Sequence, residues 1–297
     1  MMHRNTAKAL VALAATLAAS SAAFAQSTPA ADSAAAAPAA PAPVVSPITA
    51  NVSLTTNYKF RGQDQDMIGS GFNSPVKTSW FKPAIQGGFD YAHESGFYVG
   101  NWNSSVNWLP GNSIESDFYG GYKFKAGPVD LDFGVLQYYY SGNTAGNTTE
   151  LYGSATWSDE AIGGFTAKYS TTVSKDYFNY AGAKAGSGLK GTNTGYLNLS
   201  YSKTVLTSLT LKAAVGYTFM SADIRSLGFK NYLDYNVGAS WDFGGGLALA
   251  GSVQGANQQS AYAVPNHPGF DLGFGPIGAS TYSPNKARFI VTLTKTL

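Results

Sequence analysis

The residues that could do covalent chemistry are few and far apart. Beyond residue 25 the chain carries only two histidines, His93 and His267, and it has no cysteine at all. Nucleophilic catalysis needs a base within hydrogen-bond reach of the nucleophile. His93 sits in Ala92-His93-Glu94-Ser95-Gly96, which reads as a tight turn, and His267 sits between Pro265 and Pro268 in a Gly/Pro-rich stretch. Neither is set on a rigid wall beside a serine and a carboxylate. Asp64/Asp66 and Asp130/Asp132 are close acidic pairs. The first would hold Ca²⁺ only weakly, since a calcium cage takes roughly 6–8 oxygens. No Gly-rich phosphate loop leads into a helix, and no His/Cys spacing suits a metal. The expectation is a protein that is not an enzyme, with no catalytic, cofactor-binding or metal-binding residues and no cofactor.

What remains is a set of charged and amide side chains spaced by two. In 49–61, Ala50, Val52, Leu54, Thr56, Tyr58 and Phe60 fall on one face, and Asn51, Ser53, Thr55, Asn57, Lys59 and Arg61 on the other. Successive side chains of a strand point to opposite faces, so this segment has one apolar and one polar side. The pattern recurs in twelve candidate strands, near 49–61, 82–92, 96–108, 114–125, 129–140, 148–158, 164–174, 194–203, 208–219, 232–243, 246–256 and 286–297. Most are longer than the roughly 5–6 residues of a soluble strand and match the roughly 9–11 of a tilted membrane-spanning one. A soluble β-sandwich would also alternate, but with shorter strands and turns that do not sort by side.

The connections do sort. Those near 93–96, 126–128, 159–163, 204–207 and 244–245 are short; on the other side 62–81, 175–193, 220–231 and 257–285 are long, with 109–113 and 141–147 as shorter exceptions. Short turns on one side and longer loops on the other mark an outer-membrane barrel. An even strand number puts both termini on the short-turn, periplasmic side. Aromatic residues fall into two expected outward belts: Tyr58, Phe60, Trp108, Tyr139, Tyr217 and Phe219 near the long loops, and Tyr91, Tyr98, Tyr122, Phe124, Trp157, Trp241 and Phe243 near the short turns. Charged residues make up only 12% of the chain, against roughly 25% in an average soluble domain.

The start of the chain reads differently. Arg4 and Lys8 precede the apolar run 9–20, and Ala23-Phe24-Ala25 offers a small-x-small cleavage site. The run is short of the roughly 20 residues needed to span a bilayer. Residues 1–25 are therefore expected to be a cleaved signal peptide. Residues 26–48, Ala-rich with five prolines, are expected to be a disordered periplasmic linker. Residues 49–297 would then form an all-β, transmembrane, antiparallel up-and-down β-barrel of about 12 strands. Without Arg4 and Lys8 the basic and acidic residues balance at 17 each, and no basic field invites nucleic acid.

The alternation assigns an inner face. Its expected pore-lining members are the cations Lys59, Arg61, Lys123, Lys168, Lys212 and Arg288, with Lys125 near a turn. The anions are Asp90, Glu115, Asp117, Asp132 and Asp234, with Asp130, Glu150 and Asp242. Gln86, Asn101, Asn103 and Tyr119 join them, with Asn107 and Asn236. Seven cations against eight anions predict weak charge selection, because rings of one sign are what select ions. The expected role is passive passage of small polar solutes through the outer-membrane lipid of a Gram-negative bacterium. The rival is a closed barrel that binds partners through its long loops, which ion pairing of the inner charges across the bore would favour.

The stretch Ala50-Asn51-Val52-Ser53-Leu54-Thr55-Thr56-Asn57-Tyr58-Lys59-Phe60-Arg61-Gly62 resembles the opening of the TorF family of porin-type proteins (the Gcw_chp type), with its Y-x-F-R-G. The resemblance continues through Pro83–Tyr91, Ser95–Trp102, Glu115–Tyr122, Tyr138-Tyr139-Tyr140 and Glu150-Leu151-Tyr152-Gly153. It implies an outer-membrane barrel with porin activity and leaves the solute open. Ser141 stands where the family often has proline. The last residue is Leu297 rather than an aromatic, and Lys295 interrupts the outward face of the last strand.

Overall fold

The structure is a computed structural model that describes residues 47–67, 81–180, 188–263 and 282–297. The expected signal peptide and nearly all of the expected linker lie outside the described residues, as do parts of three long loops, His267 among them.

The elements in chain order are β1 (Ile48–Thr55), β2 (Lys59–Phe60), β3 (Gln63–Asp64), β4 (Ala84–Ala92), β5 (Phe97–Ser105), β6 (Ile114–Ala126), β7 (Val129–Tyr139), β8 (Thr148–Asp159), β9 (Gly163–Thr172), β10 (Gly195–Leu206), β11 (Leu209–Phe219), α1 (Ala222–Ser226), β12 (Tyr232–Gly244), β13 (Leu247–Ala256) and β14 (Arg288–Thr296). All except β2 and β3 form one closed barrel, in which each strand pairs antiparallel with its neighbours in sequence. Closure is made by β1, which pairs with β4 through Ile48↔Tyr91 and with β14 through Thr55↔Thr292. The twelve-strand up-and-down barrel expected from the alternation is present.

Parity decides what each strand shows to either side. Leu54, Ile85, Phe89, Val99, Phe118, Phe133, Val237 and Phe289 are all exposed on the outer surface. An outer face this apolar suits lipid rather than water. Trp157, Trp241, Tyr122 and Phe124 extend it at the short-turn end, as Tyr139, Tyr217 and Phe219 do near the long loops. Lys295 also faces outward, and its ammonium reaches the Gly245 carbonyl in the adjacent turn, so its stem covers apolar surface while its charge sits at the rim.

Three expectations fail. The first strand ends at Thr55, not near 61. Tyr58, Phe60 and Trp108 leave the expected outer belt and are buried inside. Strand β5 also has the opposite parity to that expected. Phe97 and Val99 face outward, so Tyr98 and Trp102 turn inward. Asn101 pairs with Phe89 and Phe118, both outward, and so lies on the outer face together with Asn103. The two amides satisfy one another there: Asn103 donates to Asn101, and Asn101 to the Asp117 carbonyl at 3.1 Å. The Asn-rich stretch reads as a polar inner face, but the bulkier Phe97 and Val99 fix the register.

Val237 lies midway along β12 with its side chain outward and 57% exposed. Val237→Arg should therefore cost about 2–4 kcal/mol, the range for a mid-bilayer arginine on a barrel's lipid face. Urea unfolding in lipid vesicles measures this, and Asn236→Ser, one residue away on the inner face, should change stability far less.

Candidate functional site

Inside the barrel the described residues form two tiers. The long-loop tier is filled by the chain itself. After Thr55 the backbone leaves the wall, makes the two-stranded hairpin β2–β3, and returns at Lys82, whose N–H donates to the Thr56 carbonyl at 2.9 Å. The hairpin turns at Arg61-Gly62, both in the left-handed region (φ 45° and 76°). That is the geometry of a tight two-residue hairpin turn, and glycine takes it without strain. A Cβ at position 62 would lie 2.6 Å from the Gly255 carbonyl and 2.7 Å from the Asp234 Cβ, so the turn rests directly on β12 and β13. Arginine does not prefer this conformation, and Arg61 is held in it by its side chain. Its guanidinium pairs with Glu150 on β8 at 2.7 Å, meets the Tyr177 hydroxyl at 3.2 Å and lies over the ring of Tyr196 at 4.2 Å.

The hairpin is tied to the wall on all sides. Tyr58 donates to Glu115 on β6 at 2.7 Å, and Tyr140 donates to the other oxygen of the same carboxylate. Asp64 gathers Lys59 (2.9 Å), Arg288 on β14 (3.4 Å) and Lys82 (3.7 Å). Its backbone N–H reaches the Pro284 carbonyl at 3.0 Å, and Met67 reaches the Asn107 carbonyl at 2.9 Å. Asp64 is thus fully engaged by cations, and among the described residues no group of three or more His, Asp or Glu side chains could hold a metal. Above the hairpin, Phe178 stands edge-on to Phe60, Tyr138 and Tyr177 with centroids 4.8–5.1 Å apart. Burial pushes the Tyr177 hydroxyl up to about 12, against the pull of Arg61, so this ring stays neutral beside the cation.

The short-turn tier is built differently. Three tyrosines lie flat along the wall, each over an inward-facing glycine where no Cβ intervenes, Tyr98 over Gly121, Tyr119 over Gly100 and Tyr152 over Gly134; Tyr196 lies likewise over Gly216 at the long-loop end, beneath Arg61. Three deliver their hydroxyls to a carboxylate one strand further on: Tyr98 to Asp132 (2.6 Å), Tyr119 to Asp90 (2.6 Å) and Tyr196 to Asp234 (3.1 Å). The Tyr152 hydroxyl meets that of Tyr98. Rings laid along the wall do not cross the bore. Lys123 sits over the Tyr98 ring at 4.4 Å and Lys168 over the Tyr152 ring at 3.9 Å.

Of the residues expected to line a bore, Gln86, Asp90, Glu115, Asp117, Tyr119, Lys123, Asp132, Lys168, Lys212, Asp234 and Arg288 lie on inward positions of the barrel strands. Lys59 and Arg61 are inside the barrel but on the hairpin, not the wall. Asn101 and Asn103 are outside. The alternation missed Tyr98, Tyr152 and Tyr196 as inner-face groups, and it missed Lys82 and Tyr177. The signal that would have found the first group is the glycine standing inward on the neighbouring strand.

Glu150 is the counter-charge for a guanidinium that is 97% covered. Removing one partner of a buried pair typically costs about 3–5 kcal/mol. Glu150→Gln should lower unfolding stability by about that amount or free the hairpin; urea titration followed by heat-modified gel mobility reads the first, and protease nicking between residues 56 and 67 reads the second.

The sequence profile described as "Bacterial protein of unknown function (Gcw_chp)" matches residues 36–273. Among solved structures, the KdgM porin superposes with a TM-score of 0.50 at 9% identity, over 83% of this chain and 98% of its own. The NanC porin gives 0.48 at 9% identity over 84% and 98%, and the COG4313 outer membrane channel from Pseudomonas putida F1 gives 0.45 at 10% over 85% and 96%. No curated protein matches the chain. At these identities the KdgM likeness speaks to the fold, which is that of an outer-membrane barrel. The profile spans most of the sequence, and the chain belongs to the Gcw_chp family.

Proposed function

We propose that this protein is an outer-membrane, porin-like channel for small hydrophilic solutes, narrowed in its long-loop half by the inserted hairpin. The observation that carries the reading is the inner wall of the short-turn tier. Its three large rings are laid flat over glycines, and its other inward side chains on β12–β14 and β1 are mostly small, such as Gly238, Ser240, Ala250, Ser252, Thr294 and Ser53. A wall built to hold bulky groups out of the bore supports a hydrated passage. Twelve strands place it between the roughly 8-stranded barrels that side chains fill and the 16–18-stranded ones with wide channels.

In this reading residues 1–25 are removed on export and 26–48 form a linker in the periplasm, where the short turns also lie. No reacting group is required, and the partners are outer-membrane lipid and small polar solutes. The structure of KdgM with disordered oligogalacturonate concerns that porin; the solute of this chain is proposed only as small and hydrophilic.

A second reading has its own observation. The pairing of Arg61 with Glu150 and of Asp64 with Lys59 and Arg288 neutralises charge across the bore, which suits a closed barrel working through its loops. Planar-bilayer recording separates the two. The channel reading expects discrete small openings from the native chain. It also expects several-fold larger openings when residues 58–81 are replaced by a Gly-Ser turn, since Asn57 and Lys82 already lie side by side. Silence from a correctly folded native chain, relieved only by that replacement, selects the closed barrel.

A further inference from the structure

Most of the charge inside the barrel is not on its open inner surface. From β6 to β9 the inward residues Glu115, Asp117, Asp132, Glu150 and Lys168 are buried, and on β11 and β12 so are Lys212 and Asp234. The inward charges that keep more exposure lie at the two ends. Near the short turns Asp90, Lys123, Lys125, Asp130 and Asp242 are of both signs, and at the hairpin Arg288 pairs with Asp64 at 3.4 Å.

Between those ends a line of uncharged residues stays open. Strand pairing runs Thr166–Ser200–Ala214–Asn236–Gln254 across β9 to β13, and each of these inward residues is half-buried rather than closed over. The line ends under the hairpin tip. Gly62 rests against Asp234, Gly255 and Ala256, and Asn236 and Gln254 are the next inward pair on β12 and β13 towards the short turns. The Asn236 Oδ1 has no hydrogen-bond partner among the described residues, an uncommon state for a covered amide oxygen. Gln254 gives one N–H to the Ser252 hydroxyl at 3.0 Å, which leaves its carbonyl to accept. A pair of amides thus stands at the narrowest reach of the passage with hydrogen-bonding capacity to spare.

We propose that Asn236 and Gln254 form a solute subsite beneath the hairpin tip, and that the solutes it takes are uncharged compounds rich in hydroxyl or amide groups, in preference to ions of either sign. This rests on the channel reading above. A side-chain amide offers donors and an acceptor without net charge, so it can stand in for water on a hydroxyl or amide of the solute. An ion losing water at the same place finds no counter-charge on the open line, and an unpaired charge out of water costs far more than a polar group whose hydrogen bonds are made. Rings of one sign are what select ions, and this line carries no sign.

The test gives proteoliposomes of the refolded chain radiolabelled sorbitol, gluconate or N-methylglucamine, which are alike in length and differ in charge, with KCl conductance recorded in parallel. Sorbitol should enter several-fold faster than either ion. N236D and Q254E add a negative charge with little change of shape. Each should remove the lead of sorbitol and let N-methylglucamine enter several-fold faster than gluconate. Heat-modified gel mobility reports the folded barrel; should one variant fail to fold, the other and the native order of entry still decide. Ions entering as fast as sorbitol, or an order that N236D and Q254E leave unmoved, overturns the neutral subsite and leaves the channel standing. KCl conductance without sorbitol entry does the same. Absence of both uptake and conductance overturns the channel and the subsite together.

Discussion

The closure of the sheet is the constraint on which the rest of this structure depends. A backbone in contact with lipid must satisfy every N–H and carbonyl internally, and a strand sheet does so only when it has no free edge. Here β1 supplies the last two pairings, to β4 and to β14. Once the ring is closed, side-chain parity around it is no longer a local choice. A strand with the wrong register would put a whole row of side chains on the wrong face. That is why Asn101 and Asn103 face outward despite their polarity: Phe97 and Val99 are on the same side, and the strand moves as one.

Inside the ring, size and charge are arranged by glycine. Gly100, Gly121, Gly134 and Gly216 are inward positions whose missing Cβ lets a neighbouring tyrosine lie along the wall. Each such ring is fixed at its hydroxyl end. At Tyr98 the same device brings a carboxylate and a cation to one ring, Asp132 at its hydroxyl and Lys123 over its face.

The hairpin adds a second principle. It is anchored by backbone hydrogen bonds at both ends and by ion pairs across its middle, so no single contact holds it. Buried ion pairs seldom add much net stability but strongly specify geometry, since any other arrangement leaves a charge unpaired. Arg61 illustrates this. Its backbone is in a conformation arginine does not favour, and its side chain meets a carboxylate five strands around the barrel from β1. The Tyr58-x-Phe60-Arg61-Gly62 motif that carries the family resemblance is this hairpin, with Tyr58 on Glu115, Phe60 under Phe178 and Gly62 against β13.

By itself the sequence determined the barrel. Period-two alternation over twelve long segments, short and long connections on opposite sides, and aromatic residues near the strand ends are local properties, legible because each strand must separately face lipid on one side and water on the other. It also placed most of the inner-face charges, since Glu115, Asp117, Lys123 and Asp132 sit on strands whose parity is unambiguous. Only the tertiary structure decided that alternation at Tyr58 and Phe60 continues after the chain has left the wall. A strand and a hairpin strand have the same local period, and the difference lies in whether a neighbouring strand is there to pair with. Beyond Thr55 the chain folds onto itself, and contacts to Glu150, Asp64 and Pro284, remote in sequence, hold it inside. Which tyrosine lies over which glycine was likewise invisible, because it depends on the register of neighbouring strands, and register between strands is not written along the chain.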